Sequence, residues 1–305
     1  MHKYLILTGL LIMPVLTGFP QSYTIGLNLK NNDRFRTNIM VETSMEQTVM
    51  GIEQNIDMNT EMSFNHQVVT NNENKGYELI SEYRRMYLNI NYTFDKVIID
   101  TDRHESTDLL SNMMKKLMNR SFSIFLSESG EITEVNGFEK YFREITGDLE
   151  IDTTVRNMLT QELRNSMGEE LIRQNFTHFF GFYPSEPVKK SDSWNISYSV
   201  DQSGYKLLFN GKGTLVEITP KTFLIRVDGI IVQMADDQNL TTKDFSLVGK
   251  QISEILIDRR NGWPLKSTVT QDIAGILIIN ESPDDPGKVE VPMHMKMRMN
   301  MSSGE

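Results

Sequence analysis

Apolar and polar positions alternate along the first third of the chain. From Phe35 the odd positions read Phe35, Thr37, Ile39, Val41, Thr43, Met45, Gln47 and Val49, with Arg36, Asn38, Met40, Glu42, Ser44 and Glu46 between them. A period of two sustained over about 15 residues marks a strand with one buried face. After a turn near Gly51, Ile56, Met58, Met62 and Phe64 alternate with Asn55, Asp57, Asn59, Glu61 and Asn65. Beyond the polar cluster at Asn71–Gly76, a third strand carries Met86, Leu88, Ile90, Tyr92 and Phe94 on one side. Strands this long span about 50 Å at ~3.4 Å per residue, well past the usual five or six residues. Because sheets twist with one hand, they are expected to coil into a trough whose concave wall needs cover.

The middle of the chain changes period. Leu109, Leu110, Met113, Met114, Leu117 and Met118 recur at helical spacing within Ser106–Arg120, with Ser106 or Thr107 as a cap. A short strand pair follows at Phe122–Leu126 and Ile132–Val135, then helices from about Gly137, from Asp152 as N-cap, and beyond the break at Gly168 through Leu171, Ile172, Phe176, Phe179 and Phe180. From Trp194 onward the pattern returns to strands separated by turn residues. Helices segregated from strands predict the α+β class. The expected architecture is a long, strongly curved, mainly antiparallel, half-barrel-like sheet of about ten strands, with roughly three to four helices packed on its concave face.

At the start of the chain, Met1-His2-Lys3 precedes an apolar run from Tyr4 to Phe19, the layout of a secretory signal peptide. The run is shorter than the ~20 residues a membrane span needs. The expected organisation is a signal peptide over 1–22 and one domain over 23–305, with strands in 24–101, helices in 106–180 and strands in 191–301. Such a chain is periplasmic or secreted and does not span the membrane after processing. It has no cysteine, so it has no thiol to carry a lipid and no disulfide framework. A net charge of −10 disfavours nucleic acid as a partner.

Candidate chemistry is sparse. Met293, Met295, Met297, Met299 and Met301 alternate with polar residues. Thioethers select Cu(I), but this spacing lays them in a line along ~27 Å, as in a core strand, so no metal site is assigned. Asp102, His104 and Glu105 stand close together where a strand gives way to a helix, a place where polar residues are expected in any case. His66 and His294 are expected on polar strand faces, and His178 on a helix face. The chain contains no G-x-S-x-G, H-E-x-x-H or phosphate-binding glycine motif. No catalytic residue and no cofactor is assigned. The chain's 19 methionines are more than a domain of this size ordinarily carries, and flexible thioethers suit apolar surfaces that accept variable partners.

Gly181-Phe182-Tyr183-Pro184-Ser185-Glu186-Pro187-Val188-Lys189-Lys190-Ser191-Asp192-Ser193-Trp194 resembles the Y/F-P-x-x-P-V-K-x-G-D-S-W segment of a family of secreted Bacteroidota proteins known as a domain of unknown function. Ser191 stands where that segment has glycine. Ser129–Gly137 is similar to the same family's G-x-I-x-x-V-x-G hairpin. More distantly, the layout looks like that of periplasmic lipoprotein carriers, half-barrels that wrap helices around an apolar cavity. The resemblance carries over no functional residues.

These readings converge on an exported, non-enzymatic carrier that holds a lipid or other apolar small molecule between sheet and helices. The expected cavity lining is Met58, Met62, Met86, Leu88, Met113, Met114, Leu117, Met295 and Met297. The alternative is a structural or interaction component of the cell envelope, with a protein partner and a solid core.

Overall fold

A two-residue turn starts the first hairpin. Met50 and Gly51 both take positive φ, 50° and 79°, the geometry that matches strand twist in so short a connection, and Val49 faces Ile52 across it. From there β1 (Arg34–Val49) and β2 (Ile52–Asn71) pair antiparallel along their length. The computed structural model describes residues 21–71, 76–93, 95–103, 109–202, 205–234, 247–282 and 285–304. Of the leader expected over 1–22, residues 1–20 lie outside the described residues.

The remaining strands are β3 (Gly76–Asn91), β4 (Lys96–Asp100), β5 (Ser121–Ser127), β6 (Ile132–Asn136), β7 (Ser193–Gln202), β8 (Tyr205–Ile218), β9 (Thr222–Gln233), β10 (Val248–Asp258), β11 (Pro264–Ser282) and β12 (Asp285–Gly304). The helices are α1 (Leu109–Leu117), α2 (Phe138–Gly147), α3 (Thr153–Met167) and α4 (Glu169–Phe180). All described strands join one 12-stranded sheet in the order β6-β5-β3-β2-β1-β12-β11-β10-β9-β8-β7, with β4 beside β3. Every pairing is antiparallel. At the centre of the sheet β1 pairs with β12, from Arg36 opposite Gly304 to Gln47 opposite Met293.

The sequence-derived fold class is therefore corrected. Strands hold 59% of the described residues and helices 18%, so the protein is mainly β, built on one open sheet of 12 strands. It is not α+β, although the expected counts of about ten strands and three to four helices are roughly compatible with the sheet and its insertions. β4 escapes pattern reading because five residues give too few alternations to register. Inside the supposed helical block, β5 hydrogen-bonds onto β3 and β6 onto β5, extending the same sheet to its edge. The helices are insertions into a β-sheet protein, not a layer of equal weight.

β3 and β7 lie eight strand positions apart in the sheet order. At ~4.8 Å per step they would be about 38 Å apart if the sheet were flat, yet side chains from both line one cavity. The sheet therefore curls. Helix α4 contacts both edge strands, with Arg173 Nη1 donating to the Ile132 carbonyl of β6 at 2.9 Å and His178 Nδ1 lying 2.9 Å from the Tyr198 hydroxyl of β7. One helix, about 10 Å wide, thus spans the gap between the two edges.

Local signals explain how the helices reach this position. Asp152 caps α3 by accepting from the Thr154 amide at 2.7 Å. Gly168 then turns the chain into α4, where a Cβ would sit 2.3 Å from the Arg164 carbonyl oxygen. The apolar side of α4, Ile172, Phe176, Phe179 and Phe180, is fully buried against Phe64 and Trp263. Trp263 in turn stacks on Phe35 with ring centroids 3.9 Å apart.

Candidate ligand cavity

Burial along the inner face is graded. In β1 the inward residues Phe35, Thr37, Ile39 and Val41 are buried, while Thr43, Met45, Gln47 and Val49 are only half-buried. β2 and β3 repeat this, with Phe64, Met62 and Met86 buried and Met58, Ile56, Leu88 and Ile90 half-buried. The helices cover one end of the trough and leave the end at the Met50–Gly51 turn open.

Where the cover ends there is a partly open cavity of about 250 Å³. Val41, Met58, Met62, Met86, Leu88, Met297 and Met299 form one wall, Leu207, Phe209 and Ile231 the opposite wall, and Met167 and Leu171 the helical side. Phe209 lies flat because Gly211 and Gly229 face each other beside its ring. A Cβ on either glycine would fall 2.5 Å from ring atoms of Phe209. The ring stacks on Tyr198 with centroids 4.8 Å apart.

One side of the cavity is polar. Gln271 Nε2 donates to Gln251 Oε1 at 2.8 Å, and Gln251 Nε2 donates to the Tyr198 oxygen at 2.8 Å. The Tyr198 hydroxyl lies 3.2 Å from Gln251 Oε1 as a donor and 2.9 Å from His178 Nδ1. Burial lowers the His178 pKa to about 4, although part of its ring faces the cavity, so the imidazole is neutral near pH 7. Burial likewise pushes the Tyr198 phenol upward. Both groups serve as uncharged hydrogen-bonding partners. Gln174 and Asn175 extend the polar strip along α4.

Of the residues expected from sequence to line a site, Met58, Met62, Met86, Leu88 and Met297 border this cavity. Met113, Met114 and Leu117 do not. They lie on the buried side of α1, within the main core. Met295 is buried in a second apolar cluster on the β7–β12 side. The polar strip was missed, although Gln251 and Gln271 interrupt inward strand positions that are otherwise mostly apolar.

His66 needs correction. It shares the inward parity of Phe64 and Val68, is 2% exposed, and bonds Ser81 Oγ through Nδ1 at 2.8 Å. His294 stands on the outer face, 2.7 Å from Asp272. Asp102 pairs with Arg85 at 2.9 Å, while His104 and Glu105 lie outside the described residues. The Met293–Met301 row lies on the inner face opposite β1, with Met301 across from Ile39 and Met297 across from Thr43.

The fold defines a mainly β protein whose single curled sheet borders a cavity with no Asp, Glu, Lys or Arg among its described lining residues. The chain belongs to the family of unknown function DUF6263, whose model matches residues 74–264. No curated protein matches it. Among solved structures, DynF from the dynemicin biosynthesis pathway of Micromonospora chersina is similar at 9% identity and a TM-score of 0.20, over 94% of this chain and 86% of that one. OccK5 (OpdH) of Pseudomonas aeruginosa is similar at 7% identity and a TM-score of 0.24, over 90% and 99%. OmpT, an outer membrane protein of Vibrio cholerae, is similar at 8% identity and a TM-score of 0.15, over 89% and 100%. Likeness at these TM-scores carries no argument. Among the described residues, no helix is long and apolar enough to cross a membrane.

Proposed function

We propose that this protein is an exported, non-catalytic binding protein that holds an apolar ligand between the curled sheet and helices α3 and α4. The observation that carries the reading is the half-buried apolar wall at the trough mouth, continuous with a cavity of about 250 Å³. A wall that served only as core would be covered, because leaving apolar area in water forgoes roughly 25 cal/mol per Å². Ligand sites are typically concave and mostly apolar, with a few convergent polar groups. The apolar run at Tyr4–Phe19 and the resemblance of Tyr183–Trp194 to a segment of secreted Bacteroidota proteins support export.

Naphthalene titrated by calorimetry, alongside native mass spectrometry of the purified protein, tests the reading. Saturable binding is expected. Leu88→Lys, a change at a half-buried wall position, is expected to weaken binding at least about tenfold by placing a charge at the apolar mouth. Absence of both naphthalene binding and any co-purifying apolar compound overturns the proposal. A stable protein partner captured under those conditions favours the envelope-interaction alternative.

A further inference from the structure

The ligand-binding reading leaves the ligand's chemistry open, and the lining narrows it. None of the described residues bordering the cavity is Asp, Glu, Lys or Arg, so a charged head inside would find no counterion among them and would lose its hydration. A headless apolar ligand leaves the polar strip unanswered: Asn175 borders the cavity, is 8% exposed, and has no hydrogen-bond partner at Nδ2 among the described residues. Gln251 is already engaged, to Gln271, Tyr198 and Ser253. Asn175 thus carries an unsatisfied amide nitrogen on a side chain more than nine-tenths buried at the cavity wall, an arrangement that costs stability unless a partner arrives.

Size adds a second constraint. An apolar cavity of about 150 Å³ takes one benzene ring. The present volume of about 250 Å³ scales to roughly ten heavy atoms. Resting on the binding role proposed above, we infer that the ligand is an uncharged amphiphile whose neutral hydrogen-bonding head meets Asn175 and whose alkyl chain runs along the methionine-rich wall toward the mouth. A primary-amide head, which both donates and accepts, suits a strip of amides, a phenol and an imidazole.

Three probes with the same alkyl chain test this by calorimetry at pH 7.5: octanamide, octanoate and octylammonium, with naphthalene as a headless reference. Octanamide is expected to bind at least about tenfold more tightly than either ion. Asn175→Leu is expected to lower octanamide affinity about tenfold relative to naphthalene. Equal binding of the three alkyl probes, or tighter binding of an ion, overturns the neutral-amphiphile inference while the binding role stands. Failure of naphthalene and all three alkyl probes overturns the binding role itself. If Asn175→Leu does not fold, the comparison of amide with ions on the native protein decides the question.

Discussion

His66 shows how one residue couples burial to pH. It is enclosed by Phe64, Phe176 and Trp263, and burial lowers its pKa from 6.5 to about 3. The unfolded chain therefore takes up a proton below pH 6.5 that the folded protein refuses until near pH 3. His66 thus contributes stability that is fully present above pH 6.5 and is lost progressively as pH falls through that window. At pH 5 the loss from this one group is about 2 kcal/mol. Urea midpoints at pH 7 and pH 5 measure it. His66→Gln, which keeps a polar partner for Ser81, is expected to narrow the difference between the two midpoints by that amount; an unchanged difference would show that His66 does not titrate on unfolding. The inward position of His66 was legible in the sequence, since it follows Phe64 by two residues in an unbroken alternation. The polarity of an imidazole points the other way, and burial wins because Ser81 supplies a partner. Gln251 and Gln271 are likewise polar residues at inward positions, where they bond one another.

At the scale of elements, strands were more legible than their connections. Long alternations located β1 and β2, and capping chemistry located the start of α3 at Asp152. The sequence does not reveal which strands become neighbours, because β1–β12 and β3–β5 pairing joins segments far apart in the chain. Nor does it reveal curl tight enough to set both sheet edges against α4. The β8–β9 pair carries a local feature with a sharper consequence. Gly211-Lys212-Gly213 lies inside a strand with no helix after it, and in the sheet these glycines make room for rings: Gly211 for Phe209 and Gly213 for Trp194. Gly229→Ala is expected to cost about 1–3 kcal/mol by overpacking and to push the Phe209 ring toward the cavity, weakening naphthalene binding. Phe209→Leu is expected to cost less in the Gly229→Ala background than in the native protein. A double-mutant cycle on urea midpoints reads this coupling, and strict additivity of the two changes would dissociate the glycine from the ring.

The molecule as a whole has two apolar clusters on one sheet. The larger joins the helices to β1, β2, β3, β5 and β6, and the smaller lies along β7 to β12. Met62, Met86 and Met167 belong to the first, Leu207, Phe209 and Ile231 to the second, and all six border the cavity. The cavity is thus the place where the two clusters fail to merge. An unfilled apolar space costs about 24 cal/mol per Å³, so a sequence under selection for stability alone would have closed it. Stability and binding are therefore expected to move in opposite directions when the gap is filled. Leu171→Phe, on the α4 side of the cavity, adds volume where space already exists. It is expected to raise stability by roughly 1 kcal/mol while weakening octanamide and naphthalene at least about tenfold. Urea midpoints and calorimetry on the same preparation measure both quantities. A variant that is more stable and still binds both probes at native strength would separate the cavity from the ligand, and the open trough would then require another occupant.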